Sequence, residues 1–336
     1  MRQVIEKLQN KSNLNRGEIQ AVMAEIMSGG ASELDMKDFL LAMNTKGPTI
    51  EEISGAALIM RKFVVPVMTR HERVFDIVGT GGDGRNTFNI STCAAFVVAG
   101  SGVVVAKHGN RSVSSLCGSA DVLEAMGIKI DIPHEKLSVC LDEVGLAFLF
   151  AQRHHPAMKH VAAVRKALGV KTIFNILGPL TNPAHATHQM MGVYSRHLVE
   201  QMVHVLKNLG SKRALVVHSA DGLDEISTLD KTFISEFDGT EIRSYEILPE
   251  EFGFRRAFEQ DIRGGDKDQN AKIMEDVLRG DKGPKRNIVL LNAAFALYAA
   301  DAVKTPEEGL RMAAATIDDG SAYQVLQKLR DFTNCE

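Results

Sequence analysis

Four glycines within six residues, Gly79, Gly81, Gly82 and Gly84, follow directly on the apolar run Val74–Val78, and they constrain this chain more than any other feature. Glycine reaches φ > 0 without steric cost and leaves backbone N–H groups open, so a strand that ends in such a turn can wrap an anion. Beyond the turn, Asn89, Ser91 and Thr92 stand where a helix over Ser91–Ala99 is expected to begin. That is the end at which free N–H groups and partial positive charge collect. A second expected strand, Val103–Ala106, delivers Lys107, His108, Gly109, Asn110 and Arg111, with Ser112, Ser114 and Ser115 behind them. Open α/β sheets bind ligands at strand ends of this kind. The stretch Val74–Ala125 therefore reads as a phosphate site.

Gly79, Gly81 and Gly84 also satisfy G-x-G-x-x-G, the dinucleotide fingerprint. That motif requires an acid about 20 residues on, at the end of the second strand, for the ribose hydroxyls. No Asp or Glu lies between Asp83 and Asp121, and the second strand runs into Lys107. Asp83 inside the turn suits a divalent metal or a ribose better than a bare pyrophosphate. A nicotinamide oxidoreductase is disfavoured on these grounds.

The remainder of the chain divides in two. Residues 1–70 show only helical patterning. Asn15 with Glu18, and Thr49 with Glu52, have the spacing of capping boxes, and Gly29-Gly30 and Gly47-Pro48 are stops. Such short amphipathic helices must pack on something, so a docked bundle is expected, with helices near 158–185 joining it. From residue 71 to 336 strands and helices alternate. The expected strands are Val74–Val78, Val103–Ala106, Leu146–Phe150, Gln189–Val193, Ala214–His218, Phe233–Phe237 and Glu241–Ile247. The fold class is thus α/β, a small N-terminal α-helical domain plus a larger domain with a mixed, largely parallel sheet. Ile173–Pro183 reads as a linker that passes back against the helical bundle, and Gly253–Gly265 as a mobile surface loop.

Composition excludes several classes. The 336 residues carry a net charge of −3, which gives no general attraction to nucleic acid or anionic membrane. No apolar run approaches the ~20 residues of a membrane span, and the polar start MRQVIEKLQNK does not read as a signal peptide. The four cysteines are scattered, as expected of a cytoplasmic chain.

Two further groups carry chemistry. Asp224-Glu225, just past the strand Ala214–His218, suit Mg²⁺, which takes one or two carboxylates together with water and substrate oxygens; Ser91 could add an oxygen. Arg165, among Val161, Val164 and Leu168, could clamp a carboxylate or simply lie along the surface. The histidines from His154 to His160 lack zinc-ligand spacing. No catalytic triad stands out, and no general acid or base is assigned. Displacement of pyrophosphate from a sugar C1 can proceed on alignment, a metal and backbone donors.

Taken together, D-I-V-G-T-G-G-D-G (76–84), N-I-S-T (89–92), K-H-G-N-R (107–111), G-S-A-D (118–121), F-A-Q-R-H-H-P-A-M-K-H-V (150–161), F-N-I-L-G-P-L-T-N-P (174–183) and G-L-D-E (222–225) closely resemble the anthranilate phosphoribosyltransferases. The resemblance spans nearly the whole chain. It implies a cytoplasmic, Mg²⁺-dependent homodimer of tryptophan biosynthesis, with a pair of ions per subunit. The implied reaction is anthranilate plus phosphoribosyl pyrophosphate (PRPP) to N-(5-phosphoribosyl)anthranilate and pyrophosphate. Carried over by motif, the PRPP site would comprise Gly79, Gly82, Asp83, Thr87, Asn89, Ile90, Ser91, Thr92, Lys107, His108, Gly109, Asn110, Arg111, Ser112, Val113, Ser114, Ser115 and Ser119. Gly79, Asn110 and Arg165 would face anthranilate, and Ser91, Asp224 and Glu225 the metal. Gln152 and Ala163 stand where the family commonly has proline. The rival readings are a nucleoside phosphorylase, disfavoured by the G-L-D-E pair, and a non-catalytic nucleic-acid-binding relative, disfavoured by the slightly acidic charge.

Overall fold

Seven strands form one sheet in the computed structural model, which describes residues 1–112 and 116–335. They are β1 (Phe75–Gly79), β2 (Val105–Gly109), β3 (Leu146–Phe150), β4 (His188–Gly192), β5 (Arg213–Ser219), β6 (Thr232–Phe237) and β7 (Ile242–Ile247), in the order β3-β2-β1-β4-β5-β6-β7. The first five in that order are parallel, and β6 and β7 run antiparallel at one edge. The sheet is therefore mixed and largely parallel, as the alternating pattern implies. From β1 the chain steps outward to β2 and β3, then returns to the other side of β1 as β4. Strand order reverses between β1 and β4, and the crevice at such a point is where ligands bind.

The helices are α1 (Arg2–Gln9), α2 (Arg16–Met27), α3 (Glu33–Lys46), α4 (Ile50–Lys62), α5 (Ile90–Gly100), α6 (Ser119–Ala125), α7 (His134–Glu143), α8 (Ala151–His154), α9 (Lys159–Leu168), α10 (Phe174–Leu177), α11 (His197–Asn208), α12 (Lys267–Leu278), α13 (Pro284–Ala299), α14 (Pro306–Asp318) and α15 (Ser321–Asn334). Both anticipated capping boxes form: Asn15 with Glu18 opens α2, and Thr49 with Glu52 opens α4. Glu52 does more than cap. Fully buried, it accepts from the backbone N–H of Leu14 at 2.8 Å and of Thr49 at 2.7 Å, and pairs with Lys46 Nζ at 2.7 Å. A buried carboxylate must be satisfied in this way, and doing so joins the ends of α3 and α4 to the turn before α2.

The sheet has an apolar core on each face, because successive side chains of a strand point to opposite sides. Met190, Leu215 and Val217 join the core built on α5 and α13. Met191, Ala214 and Val216 join a second core with α1–α4, α9, α10 and α11. The N-terminal helices are thus packed through α11 onto one face of the sheet. Two expectations need correction. Ile173–Pro183 does pass back against the helical bundle, but as a packed element and not a linker: Phe174, Ile176, Leu177 and Leu180 are buried in the second core, on α10 and the 3₁₀ turn after it. Nor is Gly253–Gly265 a loose surface loop. Ile262 is buried, Arg263 bridges to Thr87, and the Gly264 N–H donates to Asn86 O at 2.9 Å. Charge and turn residues mark its solvent side; its backbone is docked.

Candidate active site

Parallel pairing sets Gly79 against Gly192 and Gly109 against Phe150, so the C-terminal ends of β1–β4 finish level. The loops leaving β1, β2 and β5 consequently meet above the crevice. In the turn after β1, Gly81, Gly82 and Gly84 all adopt positive φ, at 65°, 75° and 72°. The conformation is left-handed, so the glycines there are required by the turn itself.

The acidic pair after β5 reaches into this turn. Asp224 Oδ2 accepts the Gly81 N–H at 2.8 Å, and Glu225 Oε1 accepts the N–H of Ser91, in the first turn of α5, at 3.1 Å. Removal from water, then repulsion by Asp83, pushes Asp224 well above the usual carboxylate range; removal from water, then Asp224, does the same to Glu225. Asp83 beside Asp224, and Asp224 beside Glu225, make an acidic pocket that fits a divalent cation. Among the described residues no three His, Cys, Asp or Glu side chains converge closely enough to enclose an ion. Mg²⁺ takes one or two carboxylates together with water and substrate phosphate oxygens.

Beneath the turn, Lys107 is buried. It donates to Ile77 O at 2.7 Å and lies 3.4 Å from Ser91 Oγ. Burial pulls its pKa down, and Asp76, Glu225 and Asp224 partly restore it. Asp76, also buried, accepts the His108 N–H at 3.2 Å. His108 in turn meets His155, Nε2 to Nε2 at 3.1 Å, and burial keeps both imidazoles neutral, His155 with its pKa lowered to about 4.

The other expected residues fall into groups. Asn110 Oδ1 accepts the Arg111 N–H at 2.8 Å and lies 3.5 Å from Gln152 Nε2, so the unusual Gln152 touches an expected acceptor residue. Ser119 Oγ donates to Asn110 O at 3.2 Å. Arg111 is turned to the side, its guanidinium on Asp121 at 2.9 Å and on both oxygens of Glu124. Asp121 also accepts the N–H groups of Ser112 and Gly118 at 3.1 and 2.9 Å. Thr92 and Ile90 are buried beneath the site, whereas Gly82 is exposed and Asp83 half-buried. Val113, Ser114 and Ser115 lie outside the described residues. Arg165 is half-buried on α9, its guanidinium 5.6 Å from the Phe174 ring centre, and among the described residues it has no ion pair. No hydrogen bond joins it to Asn110 or Gly79 among those residues.

Sequence patterning missed Lys171 and Thr80. Lys171 Nζ donates to Gly82 O at 2.9 Å and sits 3.6 Å from the Tyr194 ring centre; Thr80 Oγ1 accepts the Tyr194 N–H at 3.0 Å. Lys171 carries no motif, since its role arises from packing of the segment after α9 against the turn.

This geometry has close counterparts. Residues 71–323 match the model of a glycosyl transferase family, a/b domain, and residues 2–64 that family's helical bundle domain. The chain is 50% identical to an anthranilate phosphoribosyltransferase of Symbiobacterium thermophilum over 99% of this chain and 98% of that one. It is 51% identical to one from Methanobrevibacter smithii over 99% of each. The chain belongs to the anthranilate phosphoribosyltransferase family. The crystal structure of the Thermus thermophilus member superposes with a TM-score of 0.94, at 39% identity and 99% coverage of both chains. A Saccharomyces cerevisiae member solved in complex with PRPP and Mg superposes with a TM-score of 0.90, at 27% identity, covering 98% of this chain and 97% of that one. None of the described helices is long and apolar enough to cross a membrane.

Proposed function

We propose that this chain transfers the phosphoribosyl group of PRPP to the amino nitrogen of anthranilate, releasing pyrophosphate. The observation that carries the reading is the meeting of Asp224 and Glu225 with the backbone amides of Gly81 and Ser91, at the reversal of strand order. Asp224, Glu225 and Ser91 would hold Mg²⁺, and bound Mg²⁺ would neutralise charge developing on the departing pyrophosphate. The glycine turn supplies N–H groups to phosphate oxygens, and the start of α5 adds its dipole. Lys107 places a cation under the same oxygens while anchored to Ile77 O.

Arg165 is a half-buried guanidinium without an ion pair among the described residues, which favours its pairing with the anthranilate carboxylate. Asn110 would face the acceptor, with Gln152 steadying its side chain. No residue is assigned as general acid or base. Donor and acceptor are aligned, the aniline nitrogen attacks C1 as the C1–O bond to pyrophosphate breaks, and the proton released from the nitrogen passes to water or to the departing pyrophosphate.

On this reading residues 1–70 form the helical domain and 71–336 the catalytic one, and the working unit is a cytoplasmic homodimer carrying a pair of Mg²⁺ ions per subunit. Anthranilate fluorescence followed with PRPP, Mg²⁺ and purified protein tests it. Loss of signal that requires every component is the expected result. Persistent fluorescence, with PRPP bound in calorimetry, would reject anthranilate as the acceptor.

A further inference from the structure

Asn270 belongs to none of the motifs, yet it is buried to 1% exposure at the start of α12, directly behind Asn89. Its Oδ1 accepts the Gly265 N–H at 2.8 Å, and its Nδ2 donates to Asn89 Oδ1 at 3.1 Å. Asn89 Nδ2 then donates to Cys117 O at 3.2 Å. The chain of bonds has a backbone donor at one end and a backbone acceptor at the other. Only one orientation of each amide satisfies both ends, so the two side chains fix one another.

Three segments meet here: the tail of the glycine turn at Asn89, the loop before α6 at Cys117, and the docked segment ending at Gly265. The contact is tight. A Cβ at Gly264 would stand 2.6 Å from the Phe88 nitrogen and 2.7 Å from Asn270 Oδ1. Asn270 itself is held on a stiff helix start, where Asp266 Oδ1 accepts the N–H groups of Asp268 and Gln269 at 3.1 and 2.9 Å. Both groups of the Asn89 amide are already engaged by protein. In this arrangement the Asn89 amide ties two loops at a set separation.

We propose that Asn270 is a positioning residue for the donor site, acting through Asn89 to set the spacing between the glycine turn and the loop before α6. This rests on the PRPP reading above. In Asn270→Asp one carboxylate oxygen still accepts the Gly265 N–H, while the other opposes Asn89 Oδ1. Asn89 must then flip and present its oxygen to Cys117 O, which weakens the tie between the glycine turn and the loop before α6. Two oxygens set against each other in place of one such hydrogen bond weaken what the bond supports by roughly tenfold or more.

The test is a double-mutant cycle of Asn270→Asp and Asn89→Ala, read as PRPP affinity by calorimetry and as KM for each substrate. The expected result is a roughly tenfold weaker PRPP affinity for Asn270→Asp, with the anthranilate KM within about twofold of wild type. That loss should vanish when Asn89 is already alanine. Additive effects in the cycle, or a fall in kcat with both KM values unchanged, would overturn the proposal. If Asn270→Asp fails to fold, Asn270→Ser entered in the same cycle decides by the same criterion. A wild-type protein that binds no PRPP would overturn the donor-site reading and this inference together, whereas binding with additive effects overturns this inference alone.

Discussion

Replacing Gly79 by alanine tests whether Asp224 must stand where it does. The Gly79 φ is not positive, so alanine is compatible with its backbone, and the added methyl acts only through what it meets. Its Cβ would lie 2.5 Å from Asp224 Oδ2 and 3.2 Å from Asp224 Cγ, inside the roughly 3.5 Å of ordinary contact. The carboxylate can escape only by rotating away, and rotation breaks the 2.8 Å bond that Oδ2 accepts from the Gly81 N–H. A hydrogen bond to a charged group is worth about 1.5–3 kcal/mol, or roughly 10- to 100-fold in an equilibrium. The Mg²⁺ concentration giving half-maximal rate at fixed PRPP should rise by that factor. Thermal stability should fall, because the lost hydrogen bond outweighs the about 0.4–1 kcal/mol that Gly→Ala gains from the unfolded chain. The assay is a Mg²⁺ titration of the initial rate beside a melting curve. An unchanged Mg²⁺ requirement with an unchanged melt would refute both the clash and the assignment of Asp224 to the metal.

Three other outcomes are expected. Arg165→Ala should raise the anthranilate KM roughly tenfold or more, the cost of a lost bidentate carboxylate contact, with PRPP affinity held; an unaltered acceptor KM in steady-state kinetics counts against that role. Asp224→Asn combined with Glu225→Gln should abolish Mg²⁺-dependent turnover while relieving the repulsion among Asp83, Asp224 and Glu225, so the metal-free fold should melt higher; retained turnover would place the metal elsewhere. His155→Asn should flatten the acid limb of stability. His155 has its pKa lowered from 6.5 to about 4 by burial, so its contribution is full above pH 6.5 and lost as pH falls toward 4, roughly 3 kcal/mol over that span. His108 and His154 shift the same way, whereas Asp76, raised to about 6, loses its contribution as pH rises through 6. Denaturant midpoints measured across pH 4–7 check this, and a variant that keeps the wild-type slope would contradict it.

Local signals were enough to read much of this molecule, for a physical reason visible at Asp224. A strand, a glycine turn and a helix start are written in consecutive residues, as are the capping pairs Asn15–Glu18 and Thr49–Glu52, whose partners lie three positions apart. The readings that needed revision concern backbone whose partners are remote in sequence. Gly253–Gly265 looks loose because its side chains are charged, but its order comes from Asn86 and Thr87, some 175 residues away along the chain. Ile173–Pro183 looks like a linker because it holds two prolines, yet its apolar residues fill a core formed with helices from the other end of the chain. Lys171 and Asn270 were invisible for the same cause: a lone lysine and a lone asparagine have no periodicity, and their meaning lies in Gly82 O and Asn89 Oδ1. Residues that would touch substrate are legible because phosphate and metal dictate their type and spacing. Residues that hold those in place answer only to tertiary geometry, and at Asn270 that geometry points to a residue the motifs do not contain.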